Sequence, residues 1–549
     1  MTVLRVFVQT LFSCRRPNLM INNETRLSTT DKYNGLEVIS KTEERLDRLR
    51  RRAGFYLAPL AFGIVFLLTR GRLTPDGCRL SAVLACVIVL WLTESIPLPV
   101  TALMGTCLCI GLGIADARTT LAPFADPIIF LFIGGFILAQ AMMIHRLDRR
   151  FALAILSLRW ANGNQARLLA AFGGITAVAS MWVSNSAATA MMMPIALGIL
   201  RAIGDMRLTN HDPSKISGKL PKGSFATGMM LIVAFSASVG GISTPIGTPT
   251  NLIGIGLIKK LTGMDINFFQ WMTIGMPLCA VMYGVLFALL YRLHREKMPE
   301  NTDISHAQLQ QYLRKERMSL GGWTQGQINT LIAFGVAVAL WITPGLLAIV
   351  LGKEHTLFKL VSENLHEGMV ALIAACILFI LPTDRRQGKF TLTWQEAVQI
   401  DWGTILLMGG GMSLGGLLFS TGVATAIGEG ITNFTGAQSL WGLTAVSIAL
   451  AIIVSETTSN VASSNMVIPV VIALAGAADV NPIPPALGAC LGASYGFMLP
   501  VSTPPNAIVY GTGLVSILKM VRAGFIFDLC GFSIIWLYLR LLCPLMGWG

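Results

Sequence analysis

The sequence predicts an all-α polytopic membrane protein, with about 11 transmembrane helices plus two re-entrant hairpins built as an inverted-topology repeat. Three observations predict it. Hydrophobic residues make up 54% of the 549-residue chain and charged residues only 13%, about half the charge of an ordinary soluble domain. Two apolar stretches are longer than one span, and each holds a Ser-Asn pair near its centre. The chain also matches itself at offsets of 275 and 255 residues.

The remaining charge leans basic, 41 Lys+Arg against 28 Asp+Glu, for a net +13. That balance excludes a soluble enzyme, a disordered chain and a secreted disulfide scaffold. The positive residues are split among loops between apolar spans and form no aromatic-interleaved patch, so no nucleic-acid partner is expected. The partner implied is a lipid bilayer. The ten Cys lie scattered, mostly in apolar runs, without Cys-x-x-Cys or metal-ligand spacing, and read as small buried hydrophobes. The six His sit in or beside polar loops. No cofactor and no transition metal are expected.

The elements follow in order, each span measured against the roughly 17–25 residues a bilayer requires. Residues 1–52 hold 11 Lys/Arg and 6 acids and read as a cytoplasmic tail. The apolar stretch at 6–12 is interrupted by Gln9 and lacks a small-residue cleavage site, unlike a signal peptide. Residues 53–126 form N-terminal scaffold helices. Repeat 1 covers 127–290, with an inward hairpin at 166–203 and a broken helix at 224–258. A cytoplasmic linker at 291–327 leads to scaffold helices at 328–401. Repeat 2 covers 402–549, with an outward hairpin at 440–476 and a broken helix at 486–515.

Charge identifies the hairpins. The apolar stretch 168–200 follows Arg159 and Arg167 and precedes Arg201, Arg207, Lys215, Lys219 and Lys222. The stretch 440–476 has no Lys or Arg in 428–439 or 477–485. Basic flanks mark the cytoplasm, so the first stretch enters and leaves inside and the second outside. An arm of about 18 residues rises roughly 27 Å as helix, so a hairpin tip reaches the membrane interior. This topology gives a multi-pass protein of the plasma or bacterial inner membrane, with its N-terminus cytoplasmic and its C-terminus outside. Arg70, Arg72 and Arg79 fall outside against the rule, outnumbered by the five Arg at 45–52.

The internal repeat carries the strongest signal. At an offset of 275, Ile133-Gly134-Gly135 matches Met408-Gly409-Gly410, Ser180 matches Ser455, Ser184-Asn185 matches Ser459-Asn460, and Pro194 matches Pro469. At an offset of 255, Gly247-Thr248-Pro249-Thr250-Asn251 matches Ser502-Thr503-Pro504-Pro505-Asn506. The polar loop around 202–224 accounts for the change in offset. The leading spans of the two copies are five spans apart, an odd number, so the copies run in opposite directions. Many secondary transporters are built this way, with substrate and ions held near the midplane at broken helices. A carrier is therefore expected.

Each copy supplies a Ser-Asn tip and a Thr-Pro-x-Asn break. Irregular backbone at membrane depth is tolerated where it lines a cavity or is buried in protein. Free carbonyls, Ser hydroxyls and Asn amide oxygens are hard ligands suited to an alkali cation, and helix N-termini attract anions. No Lys, Arg, Asp or Glu occurs in 168–200 or 480–518, and Glu456 is the one charge in 440–476. An anion at the tips therefore depends on bound cations for neutralisation. A Ser-Asn pair in a helix is ordinarily an interhelical hydrogen bond, and a Pro break is ordinarily a kink, but duplication at matched positions argues against both. Glu94 and Glu456 lack counterparts in the other repeat and read as carboxyls hydrogen-bonded at helix ends. Gly492-Ala493-Ser494-Tyr495-Gly496 fits the nucleophile-elbow string, but it follows no strand and no membrane-embedded His could serve it. The protein is not expected to be an enzyme.

The strings Trp91-Leu92-Thr93-Glu94-Ser95-Ile96-Pro97, Met181-Trp182-Val183-Ser184-Asn185, Thr458-Ser459-Asn460 and Pro500-Val501-Ser502-Thr503-Pro504-Pro505-Asn506 resemble the divalent anion:sodium symporter family. The resemblance runs from about residue 55 to the end. It implies a homodimer whose transport part moves as an elevator against a scaffold. It implies sodium-coupled symport of C4-dicarboxylates such as succinate, malate or fumarate, or of citrate, with anion exchange, sulfate transport and a non-transporting receptor as alternatives. One sodium site would use Ser180, Ser184, Asn185 and Gly247, and the other Ser455, Thr458, Asn460 and Ser502. The dianion would lie between Ser184-Asn185-Ser186 and Ser459-Asn460, with Thr248-Pro249 and Thr503-Pro504 beside it. The usual Ser-Asn-Thr string is altered here. Ser186 keeps the third hydroxyl and Val461 does not.

Overall fold

The computed structural model describes residues 41–157, 164–209, 223–296, 306–427 and 439–548. Most of the basic tail, the polar insertion at 210–222 and the centre of the linker lie outside them. The described chain is helical nearly throughout. Its one sheet is the short hairpin of β1 (Pro382–Asp384) and β2 (Lys389–Phe390).

Ten helices among the described residues are long and apolar enough to cross a membrane, or eleven if one bent pair counts as a single span. The chain opens with α1 (Lys41–Thr69), α2 (Pro75–Thr93) and α3 (Leu98–Gly111), followed by the short α4 (Ala117–Leu121). The first repeat then supplies α5 (Pro127–Ile144), α6 (Leu147–Leu156), α7 (Gln165–Ser180), α8 (Asn185–Thr209), α9 (Ser224–Gly241), α10 (Pro249–Thr262) and α11 (Phe268–His294). After α12 (His306–Ser319) and α13 (Gln325–Val350) come α14 (Thr356–Asn364) and α15 (Glu367–Ile380), bent by 66°. The short α16 (Trp394–Ala397) precedes the second repeat: α17 (Trp402–Ser420), α18 (Leu440–Thr457), α19 (Asn460–Ala477), α20 (Ile483–Gly492), α21 (Pro504–Tyr510) and α22 (Ile517–Leu545).

The number of spans agrees with expectation, but their membership by length does not. Both arms of the second expected hairpin, α18 and α19, are 18 residues long and pass the length test themselves. The expected spans at 98–114 and 486–515 yield helices of only 14 residues (α3) and 10 and 7 residues (α20 and α21). Length alone therefore does not separate an arm from a span, and in α20–α21 the missing length is the break itself.

Local chemistry fixes where the helices start. Asp126 accepts from the amide of Ile128 at 3.0 Å and is followed by Pro127, setting the start of α5. Capping boxes at Asn267–Gln270 and Thr324–Gln327 start α11 and α13. Pro249 and Pro504 start α10 and α21, where a missing N–H costs nothing.

Burial grades the helices. Every residue of α9 from Phe225 to Gly241 is buried, so it forms the bundle's axis, apolar all round. Helices α1, α13 and α22 keep large apolar side chains such as Leu67, Ile349 and Leu541 exposed, as a surface bordered by lipid requires. The two repeats interlock. Helix α8 of the first packs on α21 of the second, and α19 of the second packs on α10 of the first.

Each long helix that follows a break presses a glycine against it. A Cβ at Gly524 in α22 would stand 2.5 Å from the carbonyl of Phe497, and one at Gly275 in α11 would collide with the carbonyls of Ile242 and Ser243. Phe497 is 4.8 Å from Phe235 and 4.9 Å from Phe527, centroid to centroid, which clamps break 2 between α9 and α22. Gly275→Ala and Gly524→Ala should each cost about 1–3 kcal/mol by overpacking, read as a lower unfolding temperature of the full chain in detergent. Gly284→Ala on α11, with open space around it, should leave that temperature unchanged or higher.

Candidate functional site

At the first tip α7 ends at Ser180, the chain turns through 181–184, and α8 begins at Asn185. Ser184 starts α8 as its cap, its hydroxyl accepting from the Ala187 amide at 3.4 Å. At the second tip α18 ends at Thr457, and Ser459 caps α19, accepting from the Ala462 amide at 3.2 Å. The Asn that follows each cap is held by a Ser five residues earlier. Ser180 Oγ donates to Asn185 Oδ1 at 2.7 Å, and Ser455 Oγ donates to Asn460 Oδ1 at 2.8 Å. The same atoms do the same thing in both copies.

Each tip lies against the break of its own repeat. Break 1 runs from Ile242 to Thr248, and its return brings Gly247 beside the carbonyls of Gly241 and Ser180. A Cβ at Gly241 would strike Asn185 Oδ1 and stand 3.2 Å from the Gly247 carbonyl. Break 2 runs from Ala493 to Thr503. A Cβ at Gly496 would stand 3.1 Å from Asn460 Oδ1, 3.2 Å from the Ser455 carbonyl and 3.2 Å from Ser502 Cβ. Each glycine, lacking a side chain, therefore lets the tip amide oxygen and a backbone carbonyl oxygen close in on it. That oxygen-only donor set suits an alkali cation and lacks the nitrogen or sulfur a transition metal prefers.

The breaks are braced from within. Asn251 Nδ2 donates to the carbonyls of Gly241 at 2.9 Å and Thr244 at 2.7 Å, and Asn506 Nδ2 donates to those of Gly496 at 2.9 Å and Leu499 at 3.0 Å. Trp271 Nε1 donates to the Ile242 carbonyl at 3.0 Å in break 1. In break 2, Glu456 Oε1 accepts from the amides of Phe497 at 2.5 Å and Met498 at 2.8 Å. This is the structural role expected of that carboxyl. Asp528 of α22 lies beside it, and the position matching Glu456 in the first copy is Met181. Glu94 is bound by Arg50 of α1 at 3.0 Å. Break 2 also touches the start of α10, Ser494 Oγ lying 2.7 Å from Thr250 Oγ1.

The structure gathers Ser180, Asn185 and Gly247 in one cluster and Ser455, Asn460 and Ser502 in the other. Thr458 turns its hydroxyl away, donating to the Trp91 carbonyl of α2 at 3.3 Å. Thr248 and Thr503 are buried caps of α10 and α21. Ser184, Ser186, Val461 and Pro249 are half-buried and Pro504 is exposed, so the tips carry a partly open polar rim. Gly241, Gly496, Asn251 and Asn506 were not assigned to the site from sequence. The two glycines match at the offset of 255, which is the signal that could have found them.

A many-spanning helical protein with duplicated, oxygen-lined breaks is a membrane transporter by class. The chain belongs to the sodium:sulfate symporter family, whose transmembrane region matches residues 52–548. It is 30% identical over 511 residues to the sodium-dependent dicarboxylate transporter SdcS of Staphylococcus saprophyticus, covering 92% of this chain and 94% of that one. An uncharacterised transporter of Haemophilus influenzae is 32% identical over 449 residues, covering 82% and 88%. The YdaH transporter of Alcanivorax borkumensis, described as having an unusual topology, shares the fold with a TM-score of 0.51 at 12% identity, over 78% of this chain and 87% of that one. The chain is thus a sodium-coupled multi-pass transporter and not an enzyme.

The tip amide oxygen approaches Gly241 more closely than Gly496, and the effect of adding a methyl should differ accordingly. Gly241→Ala, whose methyl would collide with Asn185 Oδ1, should raise the sodium concentration for half-maximal uptake by at least about tenfold. Gly496→Ala, with 3.1 Å to Asn460 Oδ1, should raise it less. Sodium titrations of uptake in proteoliposomes check the order.

Proposed function

We propose that the protein uses an inward sodium gradient to import C4-dicarboxylates such as succinate, malate or fumarate. The observation that carries this reading is the duplicated oxygen cluster at Asn185 and Asn460, set among tips that hold no cationic side chain. A dianion there needs bound sodium for neutralisation, which makes the coupling a physical requirement. The name of the 30%-identical staphylococcal relative supports the choice of dicarboxylate.

In this reading α7–α8 and α18–α19 are hairpins entering from the cytoplasm and from outside. Sodium is bound by Ser180, Ser184, Asn185 and Gly247 in one copy and by Ser455, Thr458, Asn460 and Ser502 in the other. The backbone of Thr458 does the binding, since its hydroxyl is committed to Trp91. The dianion lies between Ser184-Asn185-Ser186 and Ser459-Asn460, beside Thr248-Pro249 and Thr503-Pro504. The N–H groups starting α8 and α19 face its carboxylates. The chain works as a homodimer in the cell membrane, its N-terminus inside and its C-terminus outside. Its hairpins and broken helices move as an elevator against the scaffold helices α1–α4 and α13–α16. No resident cofactor is needed.

Val461 favours a second reading, a sulfate carrier or an anion exchanger, because it removes one hydroxyl from the usual string. A panel of labelled succinate, citrate and sulfate in proteoliposomes, with and without a sodium gradient, tests both. Succinate uptake should appear only with sodium outside; sodium-independent uptake, or uptake requiring internal anion, contradicts symport. Asn185→Ala and Asn460→Ala should each lower uptake by at least about tenfold, the loss of one strong hydrogen-bonding ligand. A receptor would show no transport to lose.

A further inference from the structure

Each break contains one atom that the clusters and caps described above leave unused. Asn251 and Asn506 sit on the first turns of α10 and α21, both at 0% exposure and matched at the offset of 255. In each, both amide hydrogens are spent on two carbonyls of the break, Gly241 and Thr244 in one and Gly496 and Leu499 in the other. In each, the amide oxygen is buried and accepts no hydrogen bond from the described residues. Such an orphan costs about 1–3 kcal/mol. One orphan is an ordinary imperfection. The same atom orphaned at the same place in two copies that differ at neighbouring positions (Thr250 against Pro505, Thr244 against Leu499) is a feature of the design.

Bracing explains the two amide hydrogens and brings the oxygen with them. It does not explain why that buried oxygen is left without a donor in both copies. An acceptor with two free lone pairs, next to carbonyls held within about a turn of the tip oxygens, meets its need with a water or a cation. No Lys or Arg lies in 168–200 or 480–518 to supply the charge instead.

We infer that Asn251 and Asn506 are positioning residues of the two cation sites: the amide hydrogens fix the break carbonyls, and the free oxygen holds a water in the surroundings of the bound sodium. The inference rests on the sodium-coupled reading above. Asn251→Asp keeps an oxygen but loses both donors and repels the carbonyls. Asn251→Ser is too short to reach both carbonyls. The same holds for Asn506.

The test compares the full chain with Asn251→Ser and Asn506→Ser in detergent, following thermal unfolding while sodium chloride replaces choline chloride. A ligand at concentration c that binds only the folded state stabilises it by RT ln(1 + c/Kd). Fitting the rise to that relation gives the sodium concentration of half-occupancy, the midpoint that reports affinity. Each variant should shift the midpoint at least tenfold upward, and sodium-driven uptake should show the same shift with the succinate KM at saturating sodium little changed. A merely structural brace would lower the unfolding temperature equally in both salts and leave the sodium midpoint where it was, which overturns the inference. If the unsubstituted protein itself gains no stability from sodium and transports without it, the functional reading fails first. Should the Ser variants not fold, Asn251→Thr and Asn506→Thr fill more of the space while lacking the amide groups, and an unchanged sodium midpoint in them likewise overturns the inference.

Discussion

Unwinding a helix inside an apolar bundle frees backbone amides and carbonyls that water would otherwise satisfy, and every one of them must find a partner within the protein. The structure meets this demand twice with the same parts. A buried Asn ties two carbonyls of each break, and a glycine leaves room for the tip amide. A glycine on the next long helix lets the whole segment close against it. The partners differ where the copies differ. Trp271 serves the first break, and Glu456 with its neighbour Asp528 serves the second. The irregular backbone is thus as rigidly held as a helix, and its remaining oxygens are what it can offer an ion.

Interlocking makes the two breaks one site. Helix α8 rests on α21 and α19 on α10, so the tip of each copy adjoins the broken helix of the other. The hydroxyls of Thr250 and Ser494 join the start of α10 to the second break. In the proposed reading, a cation bound in one copy acts on helix ends that belong to both. Contacts also reach outward from this core, among them Thr458 to the Trp91 carbonyl and Trp182 edge-on to Phe334 at 5.2 Å.

Much of this was legible in the sequence because it is written there twice. The Ser-Asn pairs and Thr-Pro-x-Asn strings stand at matched offsets, and the helix interruptions fall at them. The helical membrane fold followed from composition and span length. What the sequence did not reveal depends on close approach. Nothing local marks Gly241 as the residue whose missing side chain makes room for Asn185 Oδ1, or Gly524 as the seat of the Phe497 carbonyl. Asn251 and Asn506 were visible as motif letters, but their bracing role needs carbonyls ten residues away in the chain. The hydroxyl of Thr458 faces α2, a direction that motif spacing does not carry. Length does not decide the second expected hairpin, because α18 and α19 are each as long as a span while the broken α20–α21 is not.

Binding of the sodium that neutralises a dianion by the duplicated oxygen clusters is tested by measuring labelled sodium and labelled succinate entering the same proteoliposomes. Succinate entry should carry sodium with it, at least one ion for each cluster, and both fluxes should fall together when Asn185 or Asn460 is replaced by Ala. Succinate entering without accompanying sodium, or with sodium flux unaffected by either substitution, would contradict it.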